Sequence, residues 1–327
     1  METWRSAWER ANLEFYSREK PADHFRTSTS YPDIIGPAFL VLLDAHTTSE
    51  ALQIVDVGGG DGHLLSAMRA AWIESGRDPA LLTCTLVDVR AAETPDVVTV
   101  VGDARTCLNE IFPHGIRGLL IAHEWLDDIP CEVVEVDDRG ARRLVLVDAK
   151  SGKESLGPAL DDPAATRDFG FDERGIDWLD TWWPIAHPGS RAEVGITRDD
   201  AWRTCIGLVT EGVALMVDYA HTRETRDSQG SLAGYVSGRR VAPIPDGGCN
   251  VTAHVAVDAL ADVSPRARRR MRSQREALEH VRLPDDPLVR LRAKGRLATL
   301  RAANGLGNFT WLEHHAGSPP RHATMTS

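Results

Sequence analysis

The sequence predicts an α/β fold built on a doubly wound, mostly parallel sheet. Three observations carry that expectation. Short apolar, β-branched runs recur along the chain, segments with helical spacing separate them, and acidic residues close several of the runs. With 327 residues and 42% hydrophobic content, the chain buries a large core, as one sizeable domain with an insertion or as two domains.

At the N-terminus, Trp4, Trp8, Ala11 and Phe15 recur at spacings of three and four, which predicts a helix; a polar stretch, Arg26 to Ser30, then leads into the apolar segment Ile34 to Leu43. Ile54-Val55 opens the first strand and the glycine turn follows it, with a helix from about Asp61 to Glu74. Leu82–Asp88, Val97–Asp103 and Gly118–Ala122 read as the next three buried parallel strands. Past Pro130 the pattern changes. Glu132–Val136 and Arg142–Val147 flank Asp138-Arg139-Gly140 as a β-hairpin, and a Pro-, Gly- and Asp-rich loop is expected from about Ser151 to Gly175. A helix from about Thr197 to Val209 precedes a fifth strand, Val213–Tyr219. Helices from about Pro265 to His280 and Pro287 to Ala303, then a late strand over Asn308–Glu313, complete the reading.

Charge narrows the function. A formal net charge of −11 and a pI near 5.6 disfavour a general binder of nucleic acid or anionic membrane, so small ligands or protein partners are expected. The five cysteines are odd in number and lack a C-x-x-C spacing, which points to neither a disulfide framework nor a zinc cluster; no metal is expected. No apolar run approaches the roughly 20 residues a membrane span needs, and the polar start of the chain lacks a signal core, so a cytoplasmic protein is expected.

The most informative stretch is Asp56-Val57-Gly58-Gly59-Gly60-Asp61-Gly62, which reads as strand, glycine turn and helix opening. Glycines let the backbone approach a ligand closely, and the helix start offers free N–H groups. Two carboxylates, Asp56 and Asp61, would repel a pyrophosphate and suit a cationic ligand. Asp56, Asp88, Asp103 and Asp218 end successive strands and so share the edge at which open α/β sheets bind ligands. In a nucleoside cofactor, Asp88 is placed to accept from both ribose hydroxyls and Asp103, before Ala104, from an adenine amino group; each aspartate taken alone also suits a helix N-cap.

The glycine turn resembles the first motif of class I S-adenosylmethionine methyltransferases, where the acidic residue helps to hold the cationic methionine end. A more specific resemblance follows it. His123-Glu124-Trp125-Leu126-Asp127-Asp128-Ile129-Pro130 is similar to the N-E-x-x-D-A-x-P signature of the MidA family of S-adenosylmethionine-dependent methyltransferases, the family of the mitochondrial complex I assembly factor that methylates an arginine. In the same order, His24–Ser28 resembles its G-D-F-x-T-S, Val217–Ala220 its I-D-Y-G, Gln229–Leu232 its G-T-L, and Asn250–Val255 its D-I-T-A-H-V. The chain departs from the pattern with His123 for asparagine, Ala220 for glycine, Asn250 for aspartate, and Thr29-Ser30-Tyr31 where P-E-I-S is usual.

The resemblance implies a Rossmann-like methyltransferase with S-adenosyl-L-methionine as cofactor. Its binding residues would be Asp56, Gly58, Gly59, Gly60, Asp61, Gly62, Asp88, Asp103 and Ala104, and its catalytic residues Glu124, Asp127, His123 and His254. The implied acceptor is a protein arginine, with a respiratory-complex subunit as one such partner. A carboxylate pair from Glu124 and Asp127 or Asp128 suits a guanidinium; a hydroxyl or carboxylate acceptor would instead call on His123, His254 or Tyr219. The alternatives are an O- or N-methyltransferase for small molecules and a non-catalytic cofactor-binding assembly factor. A nicotinamide oxidoreductase fits least, because the glycines at 58, 60 and 62 do not form G-x-G-x-x-G. The expected organisation is a helical cap over residues 1–50, a cofactor-binding core over 51–130, an inserted hairpin and loop region over 131–196, and the remainder of the core with a substrate-side helical region over 197–327. The arginine-rich run Arg266–Arg275 is expected to be a solvated helix face, and Trp178, Trp182 and Trp183 to close a core or lid. The oligomeric state is left open.

Overall fold

The computed structural model describes residues 1–18, 27–265, 267–283 and 285–317. These fall into two units, one from within Met1–Phe25, Leu126–Trp202 and Ala220–Val263, the other from within Arg26–Trp125, Arg203–Tyr219 and Ser264–Ser327.

The second of these contains a seven-stranded sheet made of β1 (Leu52–Val57), β2 (Leu82–Asp88), β3 (Val98–Val101), β4 (Ile116–His123), β5 (Val209–Asp218), β6 (Arg268–Ser273) and β7 (Thr310–Ala316). Its spatial order is β3-β2-β1-β4-β5-β7-β6. The pairs among β1 to β5 are parallel, whereas β7 runs antiparallel to both β5 and β6. The fold is thus α/β with a mostly parallel, doubly wound sheet. Strands covered on both faces read as unbroken apolar runs: Leu119, Leu120, Ile121 and Ala122 of β4 are all fully buried. Helices α1 (Pro32–His46) and α2 (His63–Glu74) add Ile35, Phe39, Leu43, Leu65 and Met68 to the core against these strands. Each such side chain contributes roughly 1.5–3 kcal/mol through burial. Parallel register brings Val57, Asp88, His123 and Asp218 to one edge of the sheet, since Val57 pairs with Val87 and Ala122, Asp88 with Val101, and His123 with Val217. The sequence thereby delivers its acidic strand ends to a common edge.

The first unit is built on antiparallel strands. Glu132–Val136 and Arg142–Val147 form the expected hairpin, extended by Arg191–Val194, Glu2–Thr3 and Glu154–Ala159 into a five-stranded sheet. A three-stranded sheet joins Ala233–Val236 to Arg239–Val241 and Asn250–Thr252. The N-terminal helix Trp4–Arg18 buries Trp4, Trp8 and Ala11 on the face its spacing predicts. Trp178 and Trp183 lie in the core of this unit, with the Trp178 indole donating to Asp199 at 2.7 Å.

Two expectations need correction. The arginine-rich segment, expected as a helix, is strand β6 from Arg268, followed by the short helix Gln274–Ala277; Arg266 lies outside the described residues. Six consecutive main-chain pairings with β7 override the helical preference of Arg. The expected loop from Ser151 to Gly175 instead carries a strand, Glu154–Ala159, and a helix, Pro163–Phe169, with a second helix beginning at Glu173. Asp162 caps the first of these by accepting from the Ala164 N–H, and Gly170 ends it in the left-handed conformation.

Candidate functional site

The glycine turn between β1 and α2 is shaped by two constraints. Gly58, Gly60 and Gly62 have φ of 70°, 61° and 70°, a backbone that non-glycine residues adopt at a cost. Gly59 is fixed by space instead, because a Cβ there would lie 2.2 Å from Asp56 Oδ2 and 2.9 Å from Leu86 Cδ1. The Asp56 carboxyl therefore sits directly under the turn. It is 1% exposed, and neither oxygen has a hydrogen-bond partner among the described residues. Burial, reinforced by the charge of Asp88, pushes its pKa up to about 8. Leaving a buried carboxyl without a hydrogen-bond partner costs free energy.

Asp88, at the tip of β2, accepts from the Gly60 N–H at 3.0 Å and from the Arg90 N–H at 2.9 Å. Burial still holds it above the ordinary carboxylate range. Asp103 caps helix α3 (Ala104–Ile111) by accepting from the Arg105 N–H and binds the Arg105 side chain; despite desolvation, these contacts hold its pKa low. Ala104 is the buried first residue of that helix. Asp61 lies within the turn, where its carbonyl accepts from the Thr94 hydroxyl at 2.7 Å. Asp218 is fully buried and accepts from the Tyr219 N–H.

At the tip of β4, His123 is buried with Nδ1 3.4 Å from Glu124 Oε1, and its Nε2 has no partner among the described residues. Burial drives its pKa down to about 3, so the imidazole is neutral at physiological pH and the contact with Glu124 is not an ion pair. Its ring meets Phe309 edge-on, as does that of Tyr219. Glu124 has φ of 50°, left-handed for a residue with a Cβ, while its N–H donates to the Val217 carbonyl at 2.8 Å. Such strain, of order 1–3 kcal/mol, concentrates at functional positions.

Asp127 and His254 belong to the other unit and are described there. The Asp127 carboxylate accepts from the Thr252 hydroxyl at 2.7 Å, and burial raises its pKa. Asp128 accepts from Tyr16 and from Asn250 Nδ2. Burial and the neighbouring Asp127 charge hold its pKa well above the carboxylate range. The segment Asn250–His254 thus meets Asp127-Asp128 through side chains two residues apart on one face of a strand. His254 has a lowered pKa, through desolvation first and then Arg198 and Arg240. His24, Phe25 and Arg26 of the N-terminal motif lie outside the described residues.

Sequence reasoning missed two residues that organise this second group. Arg198, 2% exposed, donates to the carbonyls of Ile129, His254 and Asp127 and so pins both signature segments. Glu193 accepts from the Ser231 and Leu232 N–H groups and the Ser231 hydroxyl. A Cβ at Gly230 would lie 2.3 Å from its Oε1, which explains the glycine of the Gln229–Leu232 motif. Neither residue had a spacing signal. Glu193 is one polar position on a short strand, and Arg198 one of several arginines.

The strand order with its antiparallel β7, together with a carboxylate-lined glycine turn at the parallel strand tips, defines a class of protein, the Rossmann-like S-adenosylmethionine methyltransferases. Comparison with known proteins agrees. The model of a family described as "Putative S-adenosyl-L-methionine-dependent methyltransferase" matches residues 101–273, more than half of the chain, and the chain belongs to this family. Among solved structures, a protein from Burkholderia thailandensis crystallised with S-adenosylhomocysteine bound has a TM-score of 0.71 at 19% identity, over 97% of this chain and 89% of that one. A native crystal structure from the same organism gives a TM-score of 0.71 at 19% identity, over 99% and 92%. No curated protein matches the sequence significantly. The protein is a methyltransferase dependent on S-adenosylmethionine. No helix among the described residues is long and apolar enough to cross a membrane.

Proposed function

We propose that the protein methylates an arginine side chain of a protein substrate, with Glu124 holding the acceptor. The supporting observation is Glu124 itself, a largely buried carboxylate in a strained backbone at the tip of β4. A carboxylate so placed accepts two parallel N–H bonds from a guanidinium, localises its charge and leaves the remaining nitrogen exposed. His123, uncharged at physiological pH, adds a polar wall that does not repel a cation. We assign the cofactor to Asp56, Gly58, Gly59, Gly60, Asp61, Gly62, Asp88, Asp103 and Ala104. Asp56 would face a cationic group, Asp88 the ribose and the Asp103-Ala104 segment the base. The bound cofactor supplies an electrophilic methyl group on a sulfonium. With the guanidinium held by Glu124, one nitrogen would be left to take that methyl group, and the proton it gives up would reach solvent when the product leaves. The contribution of this chain is alignment and exclusion of water. Asp127, tied to Thr252, is a positioning residue, and His254, of lowered basicity, is a hydrogen-bonding group rather than a base.

Labelling a cognate lysate with radioactive S-adenosylmethionine and hydrolysing the labelled species tests this reading. Methylarginine from a protein band is the expected product. Label on a small molecule, or on another amino acid, would overturn it, and cofactor binding without any transfer would favour an assembly factor.

A further inference from the structure

At the edge of the sheet away from the glycine turn, Glu313 and His315 stand two residues apart on β7 and therefore on one face, the face on which Trp311 meets Phe39 of α1 with ring centroids 5.0 Å apart. Their register opposite Leu215 and Val213 sets them toward the start of β5, away from Asp218. Helix α1 ends over them with His46 as its last residue, and the His46 and His315 rings lie 4.2 Å apart between centroids. One ligand atom from each of His46, Glu313 and His315 lies within 4.8 Å of the others. A triangle with that edge has its centre at most about 2.8 Å from each corner, against about 2.1 Å for a zinc–nitrogen bond, so small side-chain rotations complete a coordination shell.

The chemistry of the group calls for an ion. Glu313 is 1% exposed, and the buried Nδ1 atoms of both histidines have no hydrogen-bond partner among the described residues, so each ring carries an unengaged nitrogen. His315 Nε2 stands 3.3 Å from Glu313 Oε2. Arg272 holds the other carboxylate oxygen at 2.7 Å, as outer partners of metal-bound carboxylates do. The carbonyl end of α1 adds a negative dipole. Desolvation, then His315, Arg268 and Arg270, push the His46 pKa down to about 4 against the pull of Glu313, which leaves its lone pair available at neutral pH. The same arginines, which face His315 and Glu313 in register from β6, oppose a cation and limit the affinity.

We propose that His46, Glu313 and His315 form a binding site for one divalent ion of the zinc, cobalt or nickel type, with the remaining positions filled by water. Two imidazoles and one carboxylate select such borderline ions over magnesium or calcium, which prefer all-oxygen shells. The site is separate from the methyltransferase machinery and ties the end of α1 to β7.

The test uses the full chain, free of any affinity tag and stripped with chelator, titrated calorimetrically with zinc chloride beside His46→Ala and His315→Asn. The expected result is one equivalent bound in the micromolar range, at least tenfold weaker binding in each variant, and no binding of magnesium. Absence of zinc binding by the parent chain, or an affinity in both variants equal to that of the parent, overturns the proposal. Should His315→Asn fail to fold, His46→Gln at the half-buried helix end replaces it, and the cobalt spectrum of the parent chain gives a second readout. Weak visible bands without thiolate charge transfer are expected; a thiolate band would place the ion at a cysteine and overturn the proposal.

Discussion

Asp56 offers the sharpest prediction, because its carboxyl is buried beneath Gly59 with no hydrogen-bond partner among the described residues and its pKa is raised to about 8. At pH 7 a group with that pKa is about nine-tenths protonated. If a cationic ligand sits against it and requires the ionised form, binding releases about 0.9 proton at pH 7 and about 0.5 at pH 8, and affinity rises about tenfold between pH 6 and pH 7. Calorimetric titration with S-adenosylmethionine in phosphate and in Tris, buffers of different ionisation enthalpy, measures the release directly. Asp56→Asn keeps the shape and removes the titration, so release and pH slope should both vanish. The same shift governs the cofactor-free protein. Because the folded pKa lies above the ordinary value of 3.8, the contribution of Asp56 to stability is fully present below about pH 4 and is lost as pH rises through about 8. Thermal melts should show this loss in the parent chain and a flatter profile in Asp56→Asn. Equal proton release and equal pH slopes in the two proteins would refute the reasoning, since the carboxylate would then be ionised throughout.

Other perturbations follow from the same geometry. Gly59→Ala drives a Cβ into Asp56 and Leu86, both buried, and should cost about 1–3 kcal/mol in urea unfolding; a neutral result would mean that the turn shifts freely. Arg198→Met removes the guanidinium from the carbonyls of Ile129, His254 and Asp127, of which Asp127 keeps the Ala253 N–H, and should destabilise by about 2 kcal/mol or more, whereas a loss below about 1 kcal/mol would show that water replaces the guanidinium. Glu124→Gly relieves the left-handed backbone and should raise stability by about 1 kcal/mol while removing turnover, an exchange that denaturant and activity measurements on one preparation would reveal.

The parts of the fold legible in the sequence are those whose local pattern agrees with their tertiary setting. Strands β1, β2, β4 and β5 are covered on both faces, so their apolar runs announce them, and the Asp56–Gly62 turn is visible because glycine takes its φ values without strain and fits the space under Gly59. Strand β6 is the opposite case. Its arginines carry no period-2 apolar signal, and its partner, β7, lies more than thirty residues further on, so pairing alone decides the structure. In the region from Ser151 to Gly175, Asp162-Pro163 and Gly170 end a loop as readily as they bound a helix, and only the burial of Ala165 and Phe171 distinguishes the two. The carboxylates at the strand tips could be named from strand endings, but their environments could not. That Asp56 lacks a hydrogen-bond partner among the described residues while Asp103 is engaged by Arg105 depends on how the side chains pack. Arg198 and Glu193 act through backbone groups distant in sequence, and no local spacing marks such a role.

On the proposed reading, the cofactor group at the glycine turn and the acceptor group at Glu124 act separately. The most direct test is the paired measurement of S-adenosylhomocysteine affinity and methyl-transfer turnover in Asp88→Ala and Glu124→Gln. Asp88→Ala should weaken cofactor binding by tenfold or more, whereas Glu124→Gln should leave affinity within about twofold and lower turnover by about a hundredfold or more. Equal loss of affinity in both variants, or full turnover with Glu124→Gln, would contradict the account.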